Sequence, residues 1–220
     1  MKPVVIFGAG DIAQLACFYF RNDSSRDVLG FTVDAEFLNE DTFCDLPVTG
    51  FETVTRRWPP DTCEMFVALS YACLNQRRRD KCKAAKDKGY SLASYVSSHA
   101  CVWPGFEHGE NCFILEDNTI QPFATVGHNV TLWSGNHIGH HSRIGDNCFV
   151  ASHVVISGGV EIGDSCFIGV NATFRDHIKV GDRCVIGAGC LIAANTEPDG
   201  VYVGTTAERS RVPSSRLRRI

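Results

Sequence analysis

Apolar residues follow two different periods along the chain, and the change lies near residue 100. Before it, short apolar runs typical of buried strands alternate with stretches of helical spacing. The strand runs are Pro3 to Gly8, Val28 to Asp34, Met65 to Ser70 and a closing "SLASYVS", and the first helix carries apolar Ile12, Leu15, Phe18 and Phe20. This alternation predicts a small Rossmann-like parallel α/β domain over residues 1–98.

A six-residue repeat replaces this pattern from Val102 and continues without insertion to Glu197. Its first position is Val, Ile, Leu or Phe in 15 of 16 repeats, and its second position is glycine in eight of them. So regular a period predicts a stacked array. If three hexads form one coil, residues 18 apart lie above one another at about 4.8 Å, the spacing of paired strands. The array is predicted over residues 99–205, followed by a C-terminal tail, 206–220.

The repeat also accounts for many of the eleven cysteines. Five of them occupy the fifth position of a hexad. Four of these share one column with Val130, namely Cys112, Cys148, Cys166 and Cys184, and the fifth, Cys190, lies outside that column. Small, soft side chains suit an inward corner. Because the chain has no CxxC pair and no signal peptide, we expect reduced structural thiols rather than disulfides.

Charge and hydropathy narrow the class of partner. A formal charge of −4 and a pI near 6.0 argue against a nucleic-acid binder, which normally has a basic face, and favour small-molecule partners. The first apolar run is too short for a signal peptide, and no segment approaches the roughly 18 apolar residues that span a bilayer. We therefore expect a cytoplasmic protein without membrane insertion.

The hexads resemble those of the hexapeptide acyltransferases. An "FGAGD" α/β unit followed by about five coils is similar to the group of sialic-acid O-acetyltransferases and bacillosamine-pathway sugar N-acetyltransferases. The resemblance covers nearly the whole chain. It implies a left-handed parallel β-helix of triangular section, a homotrimer, acetyl-CoA as acyl donor, a nucleotide-linked amino sugar as acceptor, and no metal.

The stretch "GNHIGHHSRIGD", Gly135 to Asp146, carries the candidate chemistry, because histidine is a common general base. The stacking of successive coils places Pro122 and Phe123 on one side of His140 and His141, and Gly158 and Gly159 on the other. The resemblance implies that His140 is the base and that the Gly158 N–H stabilises the oxyanion. Relatives have a carboxylate after the histidine, where this chain has His141. Either His141 takes over its part, or a carboxylate from elsewhere, including a neighbouring subunit, replaces it.

The resemblance also suggests binding residues. Backbone groups of Val170 and Ala188, with Gly158 near the thioester, match the positions that hold the pantetheine arm of acyl-CoA between subunits. The ending "GVYVGTTAERSR" resembles a closing family motif, so Arg209 or Arg211 is a candidate for the CoA phosphates. A solvated tail explains the later arginines, Arg216, Arg218 and Arg219, at least as well.

The "FGAGDIA" segment is a truncated dinucleotide fingerprint. One such small half does not easily hold a whole nicotinamide dinucleotide, which disfavours a dehydrogenase. The resemblance implies that Gly8, Gly10 and Asp11 face the pyrophosphate of a nucleotide sugar and that Asp34 binds its base or ribose. Because Asp11 is an unusual neighbour for phosphate, we expect it to be a helix N-cap instead. The charged run "RRRDKCKAAKDK" is expected to be a solvated helix face.

These features predict an acetyl-CoA-dependent N-acetyltransferase that acts on a nucleotide-linked amino sugar. Sugar O-acetylation uses all the same parts and stays open, as does a noncatalytic sugar-nucleotide-binding scaffold. A trimeric zinc carbonic anhydrase has the same β-helix, but its metal needs two histidines five residues apart. No two of His137, His140, His141 and His153 have that spacing, which disfavours this class.

Overall fold

The computed structural model describes residues 1–207, 209, 211 and 214–216. An N-terminal α/β unit contains β1 (Val4–Phe7), α1 (Asp11–Asn22), β2 (Val28–Val33), β3 (Thr42–Phe43), β4 (Leu46–Gly50), α2 (Val54–Arg57), β5 (Glu64–Val67) and α3 (Gln76–Asp87). The sheet order is β3-β4-β2-β1-β5, and only the β3–β4 pair is antiparallel. The predicted parallel α/β unit is therefore confirmed, with its first strands as expected.

Two-residue strands form the rest of the chain. They are β6 (Tyr95–Val96), β7 (Cys101–Val102), β8 (Glu107–His108), β9 (Phe113–Ile114), β10 (Thr119–Ile120), β11 (Thr125–Val126), β12 (Thr131–Leu132), β13 (His137–Ile138), β14 (Arg143–Ile144), β15 (Phe149–Val150), β16 (Val155–Ile156), β17 (Glu161–Ile162), β18 (Phe167–Ile168), β19 (Thr173–Phe174), β20 (Lys179–Val180), β21 (Val185–Ile186), β22 (Leu191–Ile192) and β23 (Val201–Tyr202). Every third strand pairs in parallel, which gives three faces. Face I contains β7, β10, β13, β16, β19 and β22; face II contains β8, β11, β14, β17 and β20; face III contains β6, β9, β12, β15, β18, β21 and β23.

Each coil consists of three hexads, as the repeat predicted. On face I, His137 pairs with Thr119 on one side and Val155 on the other. The register is constant up to β21, where Val185 pairs with Val201 instead of Val203, so the last coil is shorter. The predicted β-helix class is confirmed, and the prism has three corners, named here by the faces they join: I/II, II/III and III/I.

Side chains explain why the hexads fold in this way. The second residue of most short strands, the first of its hexad, points inward, and Ile138, Ile156 and Phe174 of face I are completely buried. His108 of β8 is an exception and is exposed. The predicted column is also confirmed, because all of its members are fully buried: Cys112, Val130, Cys148, Cys166 and Cys184. Burial raises the pKa of the Cys112 thiol to about 11, as expected of an unreactive structural cysteine.

The α/β unit packs on face III. Phe113 and Leu115 of the β-helix share one apolar cluster with Phe20 of α1 and Phe66 of β5. The predicted boundary at residue 98 lies after β6, which pairs with β9 and is part of face III. The β-helix therefore begins directly after the α/β sheet, to which Leu92 still belongs through its bridge to Met65.

Polar contacts join the two units at two corners. At corner II/III, the Val67 N–H donates to Asn111 Oδ1 over 2.7 Å, and at corner III/I the Tyr19 hydroxyl donates to Glu116 over 2.8 Å. Within the described residues, no hydrogen bond links the α/β unit to corner I/II. That corner is left open to solvent or to another chain.

The expectation that the Arg77 to Lys88 run is a solvated face is wrong at Arg78. This side chain is 2% exposed, and its guanidinium donates to Asn129 Oδ1 over 2.9 Å and to the Asn129 and Cys148 carbonyl oxygens over 3.0 and 3.1 Å. Burial lowers the pKa of Arg78 to about 10, which leaves it protonated at neutral pH. One charge of the run is thus an internal brace between α3 and the β-helix, while Arg79 is exposed.

Candidate active site

Corner I/II presents the predicted histidine pair. The turn after β13 contains Gly139, His140 and His141, and both histidines are exposed. His141 has a positive φ of 60°, like the residue at the same hexad position in every neighbouring turn, and this sharp turn directs both side chains outward. The predicted outward corner is confirmed. It is built by the repeat and not by a special loop.

The two imidazoles contact each other. A hydrogen bond joins Nδ1 of His140 and Nδ1 of His141 over 3.1 Å, with the rings nearly perpendicular at 83°. The His141 ring also packs on Phe123 of the preceding coil, with centroids 4.7 Å apart. Because Nδ1 of His140 is engaged, Nε2 is the ring nitrogen that remains for a substrate proton.

Gly158 lies directly against the His140 ring. A Cβ atom at Gly158 would lie 2.5 Å from Cε1 and 2.6 Å from Nε2 of His140, which is closer than side-chain atoms approach. A Cβ atom at Gly139 would lie 2.6 Å from the Gly158 nitrogen. Both glycines are therefore needed for this arrangement. The vertical alignment that predicted the His140–Gly158 neighbourhood is correct.

The Gly158 N–H is a free donor within the described residues. The adjacent Gly159 N–H donates to the His140 carbonyl oxygen over 2.8 Å, but Gly158 donates to no group there. Equivalent N–H groups at corner II/III are occupied, since Asp146 donates to Asp164 Oδ1 over 2.8 Å. Corner I/II thus combines one open imidazole nitrogen with one open amide N–H, which is the pair required for acyl transfer.

Val170 and Ala188 stack on each other as expected, but at corner III/I. A Cβ atom at Gly169 would lie 2.6 Å from the Ala188 nitrogen, and both Val170 and Ala188 are exposed. Their N–H groups donate to no described residue. One prism edge, a single hexad of at most about 20 Å, separates this corner from His140. A single chain therefore does not bring these positions together with the histidine pair.

The structure describes the C-terminal tail, with its candidate arginines, only in part. Arg209 and Arg211 are exposed and lie beyond β23. Residues 208, 210, 212, 213 and 217–220 lie outside the described residues. The predicted role of Arg209 in phosphate binding therefore stays a prediction.

The glycine-rich turn after β1 has the expected backbone. Gly8 has a φ of +121°, and a Cβ atom there would lie 2.9 Å from the Ala68 carbonyl oxygen. Gly10 faces open space at the N-terminus of α1. The prediction that Asp11 caps this helix is wrong: Gly10 is the N-cap, without a side-chain hydrogen bond, and Asp11 is the first helical residue. Its carboxylate adds negative charge at the end of the helix that favours an anion.

Asp34 has a partner that the sequence did not reveal. Lys81 Nζ forms an ion pair with Asp34 Oδ1 over 2.6 Å and lies 4.7 Å from the Phe7 ring centroid and 4.6 Å from that of Phe51. The lysine belongs to the charged run whose helix was expected to be solvated. Its cation lies at the carboxyl end of the sheet, where the nucleotide was expected. Any ligand of Asp34 also meets this cation.

Two cavities formed by the described residues lie away from the histidine pair. A cavity of about 880 Å³ runs along face II, between Glu161 and Lys179 and the carboxylates of Asp146 and Asp164. Those aspartates accept backbone N–H groups of the preceding coil, so their arrangement is structural. A smaller cavity of about 280 Å³ lies beside Ala9 at the edge of the α/β sheet. The site at corner I/II is an open notch, so a second surface is needed to enclose its substrates.

The described part of the chain contains no group of three or more His, Cys, Asp or Glu side chains placed to hold a metal ion. Within the same residues, no helix has both the length and the apolar character needed to cross a membrane.

Comparisons with known proteins agree with the fold. A sequence model described as bacterial transferase hexapeptide (six repeats) matches residues 123–158 and 159–194, about a third of the chain. A search of curated protein sequences finds no match.

Solved structures are similar over almost the full length. PerB of Caulobacter crescentus, in complex with CoA and GDP-perosamine, is 23% identical with a TM-score of 0.82, covering 93% of this chain and 95% of that one. The acetyltransferase domain of PglB from Neisseria gonorrhoeae, in complex with acetyl-CoA, is 20% identical with a TM-score of 0.78, covering 92% and 96%. WeeI of Acinetobacter baumannii is 17% identical with a TM-score of 0.70, covering 93% and 97%. The structural resemblance predicted from the hexads and the "FGAGD" unit is confirmed.

Proposed function

We propose that this protein transfers an acetyl group from acetyl-CoA to the amino group of a nucleotide-linked amino sugar. The observation that carries the proposal is the notch at corner I/II, where Nε2 of His140 is open and the ring lies against Gly158, whose N–H donates to no described group. The likeness to structures that hold CoA, acetyl-CoA or GDP-perosamine supports the choice of substrates. The cytoplasmic location expected from the sequence stays a prediction.

The chemistry follows from these two groups. The acceptor nitrogen attacks the thioester carbonyl carbon while Nε2 of His140 takes a proton from that nitrogen. The carbonyl oxygen becomes an oxyanion and accepts a hydrogen bond from the Gly158 N–H. When the C–S bond breaks, His140 gives this proton to the departing sulfur, and the products are an acetamide and free CoA.

Two groups are enough for a substantial rate acceleration of this reaction. A positioned general base contributes about 10²- to 10⁴-fold to the rate, and one oxyanion donor about 3 kcal/mol. A thioester is already activated, so the reaction requires no covalent intermediate. His140 and Gly158 supply both contributions from adjacent coils.

The geometry of the prism supports a site shared between chains. Corner I/II lies opposite face III, on which the α/β unit packs, so that unit does not reach His140 of its own chain. Val170 and Ala188 likewise lie one prism edge away. A homotrimer that sets corner I/II of one chain against corner III/I of the next joins both sets of residues, with the pantetheine arm between them.

The acceptor is proposed to lie at the carboxyl end of the α/β sheet. The Gly8–Gly10 turn and the N-terminus of α1 leave room for a pyrophosphate. The Asp34 carboxylate can accept hydrogen bonds from a base or ribose, and the paired Lys81 ammonium can donate them. Arg209 is proposed to meet the CoA phosphates. The Asp11 carboxylate lowers the anion affinity of the same helix end, which sets this chain apart from a glycine-rich phosphate loop.

A panel of acceptors tests the proposal. The purified protein is incubated with acetyl-CoA and either nucleotide-linked amino sugars, beginning with GDP-perosamine, or the matching hydroxy sugars. Thiol release measures turnover, and mass spectrometry with NMR locates the new acetyl group. We expect an acetamide on the amino sugar alone. An acetyl ester on a hydroxyl, or CoA binding without turnover on any acceptor, contradicts the proposal.

A further inference from the structure

We infer that His141 is a positioning residue that fixes the tautomer of His140, so that a histidine pair takes the place of a histidine–carboxylate pair. The inference rests on the proposed function, because it assigns His141 a part in the same proton transfer. It comes from the contact between two Nδ1 atoms 3.1 Å apart.

Only one proton can lie between these two nitrogens, and the nitrogen that carries it determines whether His140 can act as a base. If the proton is on Nδ1 of His140, His141 accepts it, and Nε2 of His140 keeps the lone pair that a base requires. If the proton is on Nδ1 of His141, a neutral His140 carries its own proton on Nε2 and cannot accept another. The first arrangement is active and the second is not.

The surroundings hold the pair without a carboxylate. The His140 N–H donates to Gln121 Oε1 over 2.9 Å, and the His141 N–H donates to the Pro122 carbonyl oxygen over 3.3 Å. Phe123 covers one side of the His141 ring. No ion pair involves either histidine in the described part of the chain. His141 is therefore the one side chain described in contact with Nδ1 of His140.

Titratable groups around the pair are few. The preceding coil presents Phe123 and the following coil Gly158 and Gly159, none of which titrates. His177 lies against Gly159 from the coil beyond, beside Asp176, and Arg143 begins the next strand on face II. The described turns directly above and below the pair, residues 121–124 and 157–160, therefore contain no carboxylate.

Two variants separate the roles, because both tolerate the positive φ of His141. His141→Asn keeps an acceptor oxygen that does not titrate, and Asn occupies this hexad position elsewhere in the repeat, as at Asn129 and Asn147. His141→Gly removes the acceptor. Ser165→Gly, at a positive-φ position of corner II/III, is the matched backbone control.

At pH 8 we expect His141→Gly to lower kcat by about 10- to 100-fold with little change in KM, whereas His141→Asn retains kcat within about three-fold. Ser165→Gly should retain the wild-type kcat. Wild-type kcat in His141→Gly, or equal losses in the Gly and Asn variants, overturns the inference.

Nitrogen-15 NMR of the imidazole rings gives a readout that does not require activity. At pH 8, His140 should carry its proton on Nδ1 in the wild type and in His141→Asn, and should lose that preference in His141→Gly. A proton on Nε2 of His140 in the wild type contradicts the inference. The proposed function fails by a different result, the absence of wild-type turnover on every amino-sugar acceptor, whereas full turnover of His140→Asn would reject His140 as the base.

Discussion

Replacement of Gly158 by alanine tests the contact on which the site depends. The new Cβ would lie 2.5 Å from Cε1 and 2.6 Å from Nε2 of His140, whereas non-bonded carbon atoms rest at about 3.5–4.0 Å. The imidazole must therefore move by about 1 Å, and a displacement of that size costs about 10²-fold in rate. The backbone N–H is retained, so the loss measures the position of the ring.

Stability and turnover are measured together in this experiment. Gly158 is not among the positive-φ glycines and lies at the surface, so we expect Gly158→Ala to fold with a nearly unchanged thermal midpoint. Its kcat, measured by thiol release at saturating acetyl-CoA, should fall by about 10²-fold. Gly50→Ala is the control, because Gly50 is also not among the positive-φ glycines and its Cβ would meet only side-chain atoms, the nearest 3.3 Å away. Wild-type kcat in a folded Gly158→Ala protein would refute the reasoning.

Three further predictions concern the α/β unit. Arg78→Ala should lower the free energy of unfolding by about 3 kcal/mol in denaturant titration, because it removes a buried cation that satisfies four acceptor atoms. Arg79→Ala on the exposed side should change the free energy of unfolding by less than about 0.5 kcal/mol, and equal effects would contradict the role of Arg78 as a brace. Hydrogen bonds from Ser98 and Tyr95 lower the pKa of Asp23 to about 2, so its contribution to stability is present above about pH 4 and is lost as pH falls through 2. Asp23→Asn should then have a lower thermal midpoint at pH 7 and a smaller decline between pH 4 and 2, whereas an unchanged decline would contradict this assignment. Asp11→Asn should bind a nucleoside diphosphate sugar several-fold more tightly by calorimetry, since it removes a negative charge at the N-terminus of α1; weaker binding would place the phosphates elsewhere.

The β-helix could be predicted from sequence to the level of individual contacts because its geometry is periodic. Once three hexads are assigned to each coil, the neighbours of any residue follow by addition, which is how His140 was matched with Gly158 and Cys148 with Cys166. Stacking fixes the register because each inward side chain must meet another inward side chain. No comparable rule connects α3 with the β-helix.

Failures of prediction occurred where a contact joins elements distant in sequence. Arg78 and Lys81 lie in a run of charges that an exposed helix would also show, and nothing local indicates that one is buried against Asn129 and the other paired with Asp34. Asp11 was assigned to a cap position one residue away from the actual N-cap, Gly10. The hydrogen bond between His140 and His141 depends on side-chain rotation, which the spacing of residues does not define.

The most direct test of the central claim is the turnover of His140→Asn with acetyl-CoA and a nucleotide-linked amino sugar accepted by the wild type. Asparagine keeps a polar side chain at the exposed corner and cannot act as a base, so folding and assembly should be unchanged. We expect a kcat at least about 10²-fold below wild type, with thermal midpoint and acetyl-CoA binding retained. A kcat within a few-fold of wild type would contradict the assignment of His140 as the base.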